Sequence, residues 1–519
     1  MFQRPVSTPR ASGLGVAFAV LGAGAVFAVL AGAGTALIGP MAAAAFAAML
    51  LGIAALFLPI RWLVVGLVLV SFLITGQLIY FARIDKALWF PFLVGALMLV
   101  RFPLDRMQRG HRALHEAEVP PRTPAGMKVF IALYMATLFS STLFNGVPPL
   151  QMLVSFKEYL FLWGLYLVLA AGLVRPAFVL RIWSVLPWLM VLQLPLIAYQ
   201  RFVVAPSRQN IGAAWDAVVG AFGGNPMAGG SSGAMGLFCV VMILVVIARW
   251  RAGLLPFWQA LVLVLSGLLG IGLAEIKFAV LLLPIGFTLL FLREFARRPL
   301  QGLVAVAVGT ALAGAILVGY QAQYGRADKG ESTEEYFESM FSSSTDANFV
   351  NLRTREIGRV AAIRFWADKH GLDDPMRLFI GHGAGASRVG ETVVGDAAKP
   401  YPFNISRSAL AMLLWETGLI GAGAFVAMMA AAWWSLFRLS ADARLDPPSR
   451  VAASSMAVAV VLFAAGLPYN TDLLYSHQVQ VMLMLCMGFA AMMNGRIRAA
   501  APPPVQRLSR PLAAVARRY

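Results

Sequence analysis

From Gly13 to Met493 the chain repeats one pattern: uninterrupted apolar runs of about twenty residues, separated by polar breaks that are mostly short. A run of that length, at about 1.5 Å per residue, matches the roughly 30 Å hydrocarbon core of a bilayer. Inside lipid every backbone N–H and C=O must be satisfied by the protein, which leaves only helices and closed barrels. Barrel strands are segments of about ten residues with alternating polarity. These runs are continuous and twice as long, so the chain reads as all-α and polytopic. Composition agrees: 60% of residues are hydrophobic and only 13% charged. An ordinary soluble domain carries about 25% charge. The shortage excludes a soluble multidomain enzyme, and the apolar content excludes disorder.

Fourteen spans are expected, near 13–38, 40–59, 62–82, 87–100, 127–145, 151–174, 177–199, 230–248, 254–273, 278–292, 300–320, 409–436, 451–468 and 475–494. The fourth and tenth are short. The first is too long for a signal-peptide core and reads as a retained span. Lys and Arg placement orients the set. With a cytoplasmic N-terminus, 25 basic residues fall in the cytoplasmic segments and five in the short opposite loops, Arg83, Lys86, Arg201, Arg208 and Lys277. Both termini are then cytoplasmic. The organisation is a membrane domain over 1–320 with an extracytoplasmic loop at 200–229, a large non-cytoplasmic loop over 321–408, further spans over 409–494, and a basic cytoplasmic tail over 495–519.

The large loop holds eleven Lys or Arg and twelve Asp or Glu, unlike the rest of the chain. Residues 348–370 read as an amphipathic helix that sets Arg355 and Arg359 four apart on one face. The net charge of +18 sits mainly in loops between apolar runs, which points to membrane orientation rather than nucleic acid. Cys239 and Cys486 lie inside apolar runs and read as small buried hydrophobes. The five histidines form no metal-binding cluster, and His111 and His115 sit in a basic loop. No Walker motif is present, so the chain carries no ATP-driven pump of its own.

What remains is a set of cations near the non-cytoplasmic face. Lys157 and Glu158 lie inside the sixth span, where charge costs a few kcal/mol and marks function by default. Glu275 and Lys277 occupy the turn in GLAEIKFAVLLLP. Arg201 follows the seventh span, Arg353, Arg355, Arg359 and Arg364 lie in the loop, and Arg407 precedes the twelfth span. Arginine binds phosphate oxygens through paired, charge-assisted hydrogen bonds, so this set suits a pyrophosphate or sulfate group. Solvation, pairing with the local acids, and snorkelling of Lys157 and Lys277 are the competing readings.

Three segments, in order and spacing, resemble the O-antigen ligase and polysaccharide polymerase superfamily of bacterial inner-membrane proteins. VGAFGGNPMAGGSSGAMGLF, at 219–238, resembles a G-T-F-x-N-P-N stretch opening a span, and contains Asn225. AEIKFAVLLLP, at 274–284, resembles a short turn with a basic residue before an apolar run. From Gly358 to Gly421, GRVAAIRFW resembles a helix bearing an essential arginine, RLFIGHGAGASR a glycine turn, and SRSALAMLLWETGLIG the motif H-N-x-x-L-x-x-L-x-E-x-G-x-x-G. Arg407 and Ser408 stand where that motif has His and Asn, and Lys277 stands where the second has Arg. The missing His turns the resemblance from ligase toward a divergent polymerase.

The resemblance implies a glycosyltransferase that moves an undecaprenyl-pyrophosphate-linked glycan onto another lipid-linked repeat unit at the periplasmic face. Neither metal nor cofactor is expected. Arg359 would stabilise the pyrophosphate leaving group, supported by Arg355 and Lys277, while Lys157 and Arg407 bind phosphate or sugar hydroxyls. Arg201, Arg364, His382 and Asn225 complete the expected substrate contacts. Glu275 and Glu158 are candidate bases, and Glu416 is expected to fix a helix break. Expected partners are the lipid-linked oligosaccharide, membrane lipid, and other polysaccharide-assembly and chain-length proteins, with no nucleic acid. Transfer of glycan to lipid or protein, or flipping of lipid-linked oligosaccharide, are the alternatives.

Overall fold

The computed structural model describes residues 52, 54–112, 121–208, 217–226, 229–324, 344–390 and 393–499. The first expected span and most of the second lie outside these residues, as do the tail from 500 and the loop stretch 325–343. Residues 1–63 and 64–519 form separate units. Little of the first is described beyond the start of helix α1 (Ile60–Leu69).

The helices follow in order. After α1 come α2 (Thr75–Tyr80), α3 (Trp89–Arg112), α4 (Ala125–Phe144), α5 (Pro149–Leu160) and α6 (Trp163–Ala170). A broken run follows, made of α7 (Pro176–Val185), α8 (Trp188–Leu192) and α9 (Leu194–Tyr199). A two-residue hairpin pairs β1 (Gly224–Asn225) with β2 (Gly229–Gly230). Then come α10 (Ser232–Arg251), α11 (Phe257–Leu273), α12 (Lys277–Leu290), α13 (Leu292–Arg297) and α14 (Pro299–Tyr324). The outer segment carries the hairpin β3 (Val350–Asn351) and β4 (Glu356–Ile357), then α15 (Arg359–Lys369) and α16 (Pro375–Ile380). The chain returns as α17 (Ala409–Leu439), α18 (Pro447–Gly466), α19 (Asp472–Tyr475) and α20 (His477–Ala499).

Among the described residues nine helical runs are long and apolar enough to cross a membrane, and a tenth arises if α5 and α6, bent by 43°, form one span. The fourth expected span is longer than its apolar run suggests, because its helix continues from Asp85 to Met107. The ninth and tenth, α11 and α12, are the short ones at 17 and 14 residues. Burial sorts the bundle: the apolar window of α20 is 94% buried and that of α10 72%, against 18% for α14. The first two are therefore central. The outer helices present large apolar side chains such as Val129, Leu133, Leu269 and Leu303 to the surroundings, as lipid-facing helices do.

Local chemistry sets the helix starts. Proline at the first helical position, whose missing N–H costs nothing there, opens α5, α7, α16 and α18. Ser408 caps α17 by accepting from the Ala411 N–H at 3.2 Å, and Asp446 caps α18 by accepting from Ser449 N–H at 3.2 Å.

The helix expected over 348–370 is only its second half. Asn351 Oδ1 accepts from the N–H groups of Arg353 and Thr354 at 3.0 and 3.2 Å, so a side-chain turn competes with the helix. Residues 350–357 become a hairpin, and Arg355 sits in its turn at φ 56°. Arg355 and Arg359 therefore do not share a helix face.

The outer segment is docked on α17 by two glycines. Gly418 interrupts α17 at φ 62°, and a Cβ there would lie 2.4 Å from the Phe379 carbonyl carbon. Gly381, at φ 77°, would put a Cβ 2.6 Å from the Glu416 carbonyl carbon. Backbone crosses backbone with no room for a side chain. Gly418→Ala and Gly381→Ala should each destabilise the fold by at least about 2 kcal/mol, from the positive φ and the clash together. Thermal unfolding of the detergent-solubilised variants checks this.

Candidate functional site

A cavity of about 410 Å³ opens where five segments meet: the start of α10, the α11–α12 turn, the start of α15, the stretch just before α17, and the link from α18 to α19. It is lined by Glu275, Lys277, Arg359, Arg407 and Asp472, together with Tyr469, Asn470 and the α10 residues Ser232 and Gly233.

Each charged group has a local reason for its position. Helix α11 ends in a left-handed turn: Ile276 N–H donates to the Ile271 carbonyl and Glu275 N–H to that of Gly272. Glicine normally fills the left-handed position, but here Glu275 does, at φ 51°. The strained backbone holds a carboxylate at the cavity wall. Lys277 then opens α12. Arg359 opens α15 and is anchored by donating to the Tyr469 carbonyl and the Ser344 hydroxyl. Its guanidinium lies 3.9 Å from the Tyr469 ring centroid, and Phe278 stacks on that ring at 4.0 Å and 8°. Both cannot occupy one ring face, so Tyr469 is held between them. Arg407 pairs with Glu356 at 3.1 Å.

Electrostatics favour an anion here. Burial lowers the Arg359 affinity for its proton, the Tyr469 hydroxyl opposes this, and the like charge of Arg407 adds to it. An entering anion relieves both costs. Three helices, α10, α12 and α15, start at the cavity, and none has a side-chain cap at its N-terminus. Each uncapped start presents free N–H groups and about half a positive charge. Uncapped starts beside arginines are chemically suited to phosphate oxygens.

Asp472 is the group that the sequence analysis passed over. Its side chain is half-buried, with one edge toward the cavity, and Asn470 Nδ2 donates to its Oδ2. A Cβ on Gly233 would lie 2.6 Å from that oxygen, so only glycine lets α10 approach so closely. Burial raises the carboxyl from 3.8 to about 7, against the lowering effect of the Asn470 hydrogen bond. One sequence signal was available: Asp472 is the only acidic residue after Asp446.

The cavity thus brings together Arg359, Lys277, Glu275 and Arg407. The other expected substrate residues do not line it. Lys157 is buried rather than snorkelling: it pairs with Glu158 at 3.1 Å and lies 4.8 Å from the Trp89 ring centroid. Glu158 in turn accepts two hydrogen bonds from Arg388 at 2.9 Å, so this carboxylate is committed to a buried network rather than free as a base. Arg201 is buried in a π-turn over Gln200–Val204. Asn225 accepts from Arg83 at 3.0 Å on the exposed hairpin β1–β2. Arg364 points outward and pairs with Asp368 at 3.8 Å, and Arg355 is exposed at its hairpin turn. Among the described residues no group of three or more metal-ligating side chains occurs.

His382 has a packing role. Its N–H donates to the Trp415 carbonyl, and its Nε2 lies 2.8 Å from His370 Nε2. His370 Nδ1 faces the Trp366 carbonyl at 2.8 Å and must donate there, so its neutral Nε2 accepts and His382 donates. The pair sits among Trp366, Tyr401 and Trp415.

No family model matches the chain, and no curated protein matches it.

Burial lowers His382 from 6.5 to about 4, with the neighbouring His370 adding to the effect. Its neutral packing therefore contributes stability that is complete above pH 6.5 and is lost as pH falls toward 4. Amide exchange over 375–385 should quicken across that window. His382→Gln, which keeps a donor but does not titrate, should flatten the response.

Proposed function

We propose that the protein is a membrane glycosyltransferase that polymerises cell-surface polysaccharide from lipid-pyrophosphate-linked repeat units. The observation that carries this reading is the convergence of three uncapped helix starts, Arg359, Lys277 and Arg407 with one carboxyl of near-neutral affinity in a single cavity. The resemblance of 219–238, 274–284 and 358–421 to the O-antigen ligase and polymerase superfamily points the same way. The fourteen-span topology, with both termini cytoplasmic in a bacterial inner membrane, belongs to this reading and turns the cavity toward the periplasm.

The reaction needs three things. The bond between the donor sugar's anomeric carbon and the pyrophosphate oxygen must break, and charge then develops on the diphosphate. Arg359, Lys277 and the uncapped N–H groups are aimed at that charge before the reaction begins, which is where electrostatic stabilisation is most effective. An acceptor hydroxyl must attack the same carbon and lose its proton. Asp472 receives that proton, since its carboxyl is half ionised near neutral pH and lies in the same cavity as the cations. Glu275 and Arg407 hold sugar hydroxyls or the second phosphate. Arg407 stands where the related motif has histidine, and the base function moves to a different loop.

Reconstituted full-length protein, given lipid-pyrophosphate-linked repeat units, should produce a ladder of lengthened glycans. Arg359→Ala should lower the rate by about 100-fold or more. The wild-type rate should rise with pH through about 7, as Asp472 loses its proton, and Asp472→Asn should abolish both the rate and that limb. Transport of intact units across the bilayer without any ladder would overturn the reading in favour of a flippase.

A further inference from the structure

A second cavity, of about 770 Å³, lies at the other end of the bundle, among the start of α4, the end of α17 and the end of α20. Helix α17 links the two sites: Arg407 lines the first just before it begins, and Ala431 to Leu439 line the second. At about 1.5 Å per residue the separation is on the order of 40 Å.

The lining has two characters. One part is cationic: Arg293, Arg438, Arg444 and Arg498 face the cavity, against a single acid, Asp442. Two of these arginines have protein partners. Arg293 donates to the Phe437 carbonyl and lies 4.4 Å from that ring's centroid. Arg444 binds Asp442 at 2.6 Å and the Ile497 carbonyl at 3.2 Å. Arg438 and Arg498 have no carboxylate within ion-pair distance among the described residues. The α4 start adds the N–H groups of Ala125, Gly126 and Met127, and its N-terminus has no side-chain cap. The other part is apolar: Met127, Ala431, Trp434 and Leu439 line the same space, and Trp434 is 52% exposed.

We propose that this cavity binds the phosphate headgroup of an anionic phospholipid, with the start of its acyl chains against Trp434 and Leu439. An excess of three positive charges over four arginines and one aspartate suits phosphate. The apolar wall and the exposed tryptophan, at the level where three membrane helices begin or end, favour a lipid over a soluble anion. A bound headgroup would tie together α4, α17 and α20, which share no short connection. The proposal is independent of the glycosyltransferase reading.

The test uses full-length protein, delipidated in mild detergent and examined by native mass spectrometry and thermal unfolding. Cardiolipin, phosphatidylglycerol, phosphatidylcholine and sodium pyrophosphate are added separately. Cardiolipin and phosphatidylglycerol should bind about 10-fold or more tightly than phosphatidylcholine and raise the Tm. Arg438→Gln with Arg498→Gln should lose that preference while keeping the unliganded Tm, because neither arginine holds a carboxylate partner. Arg293 is left intact, since it closes the end of α17. Equal binding of phosphatidylcholine, or a preference that survives in the double variant, would overturn the proposal. An equal Tm rise with pyrophosphate that the double variant abolishes would replace the lipid in this cavity with a soluble anion and overturn it too.

Discussion

The buried carboxyl of Glu416 is the interaction on which the arrangement depends. It lies in a membrane helix, where an unsatisfied acid costs several kcal/mol. Three donors satisfy it: the Tyr159 hydroxyl at 2.8 Å, the Ser387 hydroxyl at 2.7 Å and the Gly385 N–H at 2.6 Å. These come from α5 and the glycine turn of the outer segment, so meeting the demands of one carboxyl fixes both on α17. The backbone agrees, because the Glu416 carbonyl accepts from Gly383 N–H and the Ser141 hydroxyl. The break at Gly418 makes that carbonyl available. Once the outer segment is seated, β4 and α15 pack on α17 through Ile357, Ala361, Ala362 and Ala411, and this carries Arg359 to the cavity.

Two charged clusters show how closure separates structure from candidate chemistry. In the network of Lys157, Glu158 and Arg388 each charge meets an opposite one inside the protein. Removing Glu158 would strand both cations, and its bridge from α5 to Arg388 holds α5 to the outer segment. In the cavity the balance is left open. Arg359 is anchored on one side by Tyr469 and Ser344, yet three helix starts beside it lack caps. A fold that satisfies Glu416 with three donors has the means to cap those helices. Leaving them open is consistent with a ligand supplying the missing negative charge.

Much of the architecture was legible because lipid allows few solutions. Apolar runs of the right length had to be helices, and the described spans fall close to the expected ones. The charges at Glu275, Lys277, Arg359 and Arg407 were legible as a group because charge is costly beside a membrane. The failures have physical causes as well. Asn351 offered the backbone a local turn and shortened the expected helix, which exposed Arg355. Lys157 and Glu158 were read as functional because they are charges in a span, but their partner Arg388 is 230 residues away. Asp472 was passed over because a single acid in a short loop carries no pattern.

The sequence by itself determined the helical class, the approximate spans and the residue types that could meet an anion, because each follows from length, polarity and charge along the chain. Only the tertiary structure decided which cations share a cavity and which are neutralised elsewhere. It also brought Asp472 beside Gly233 and set Tyr469 between Arg359 and Phe278. Those outcomes depend on contacts between distant segments. The affinity of a carboxyl for its proton, and the freedom of an arginine to bind a ligand, are properties of surroundings that no local stretch of sequence encodes.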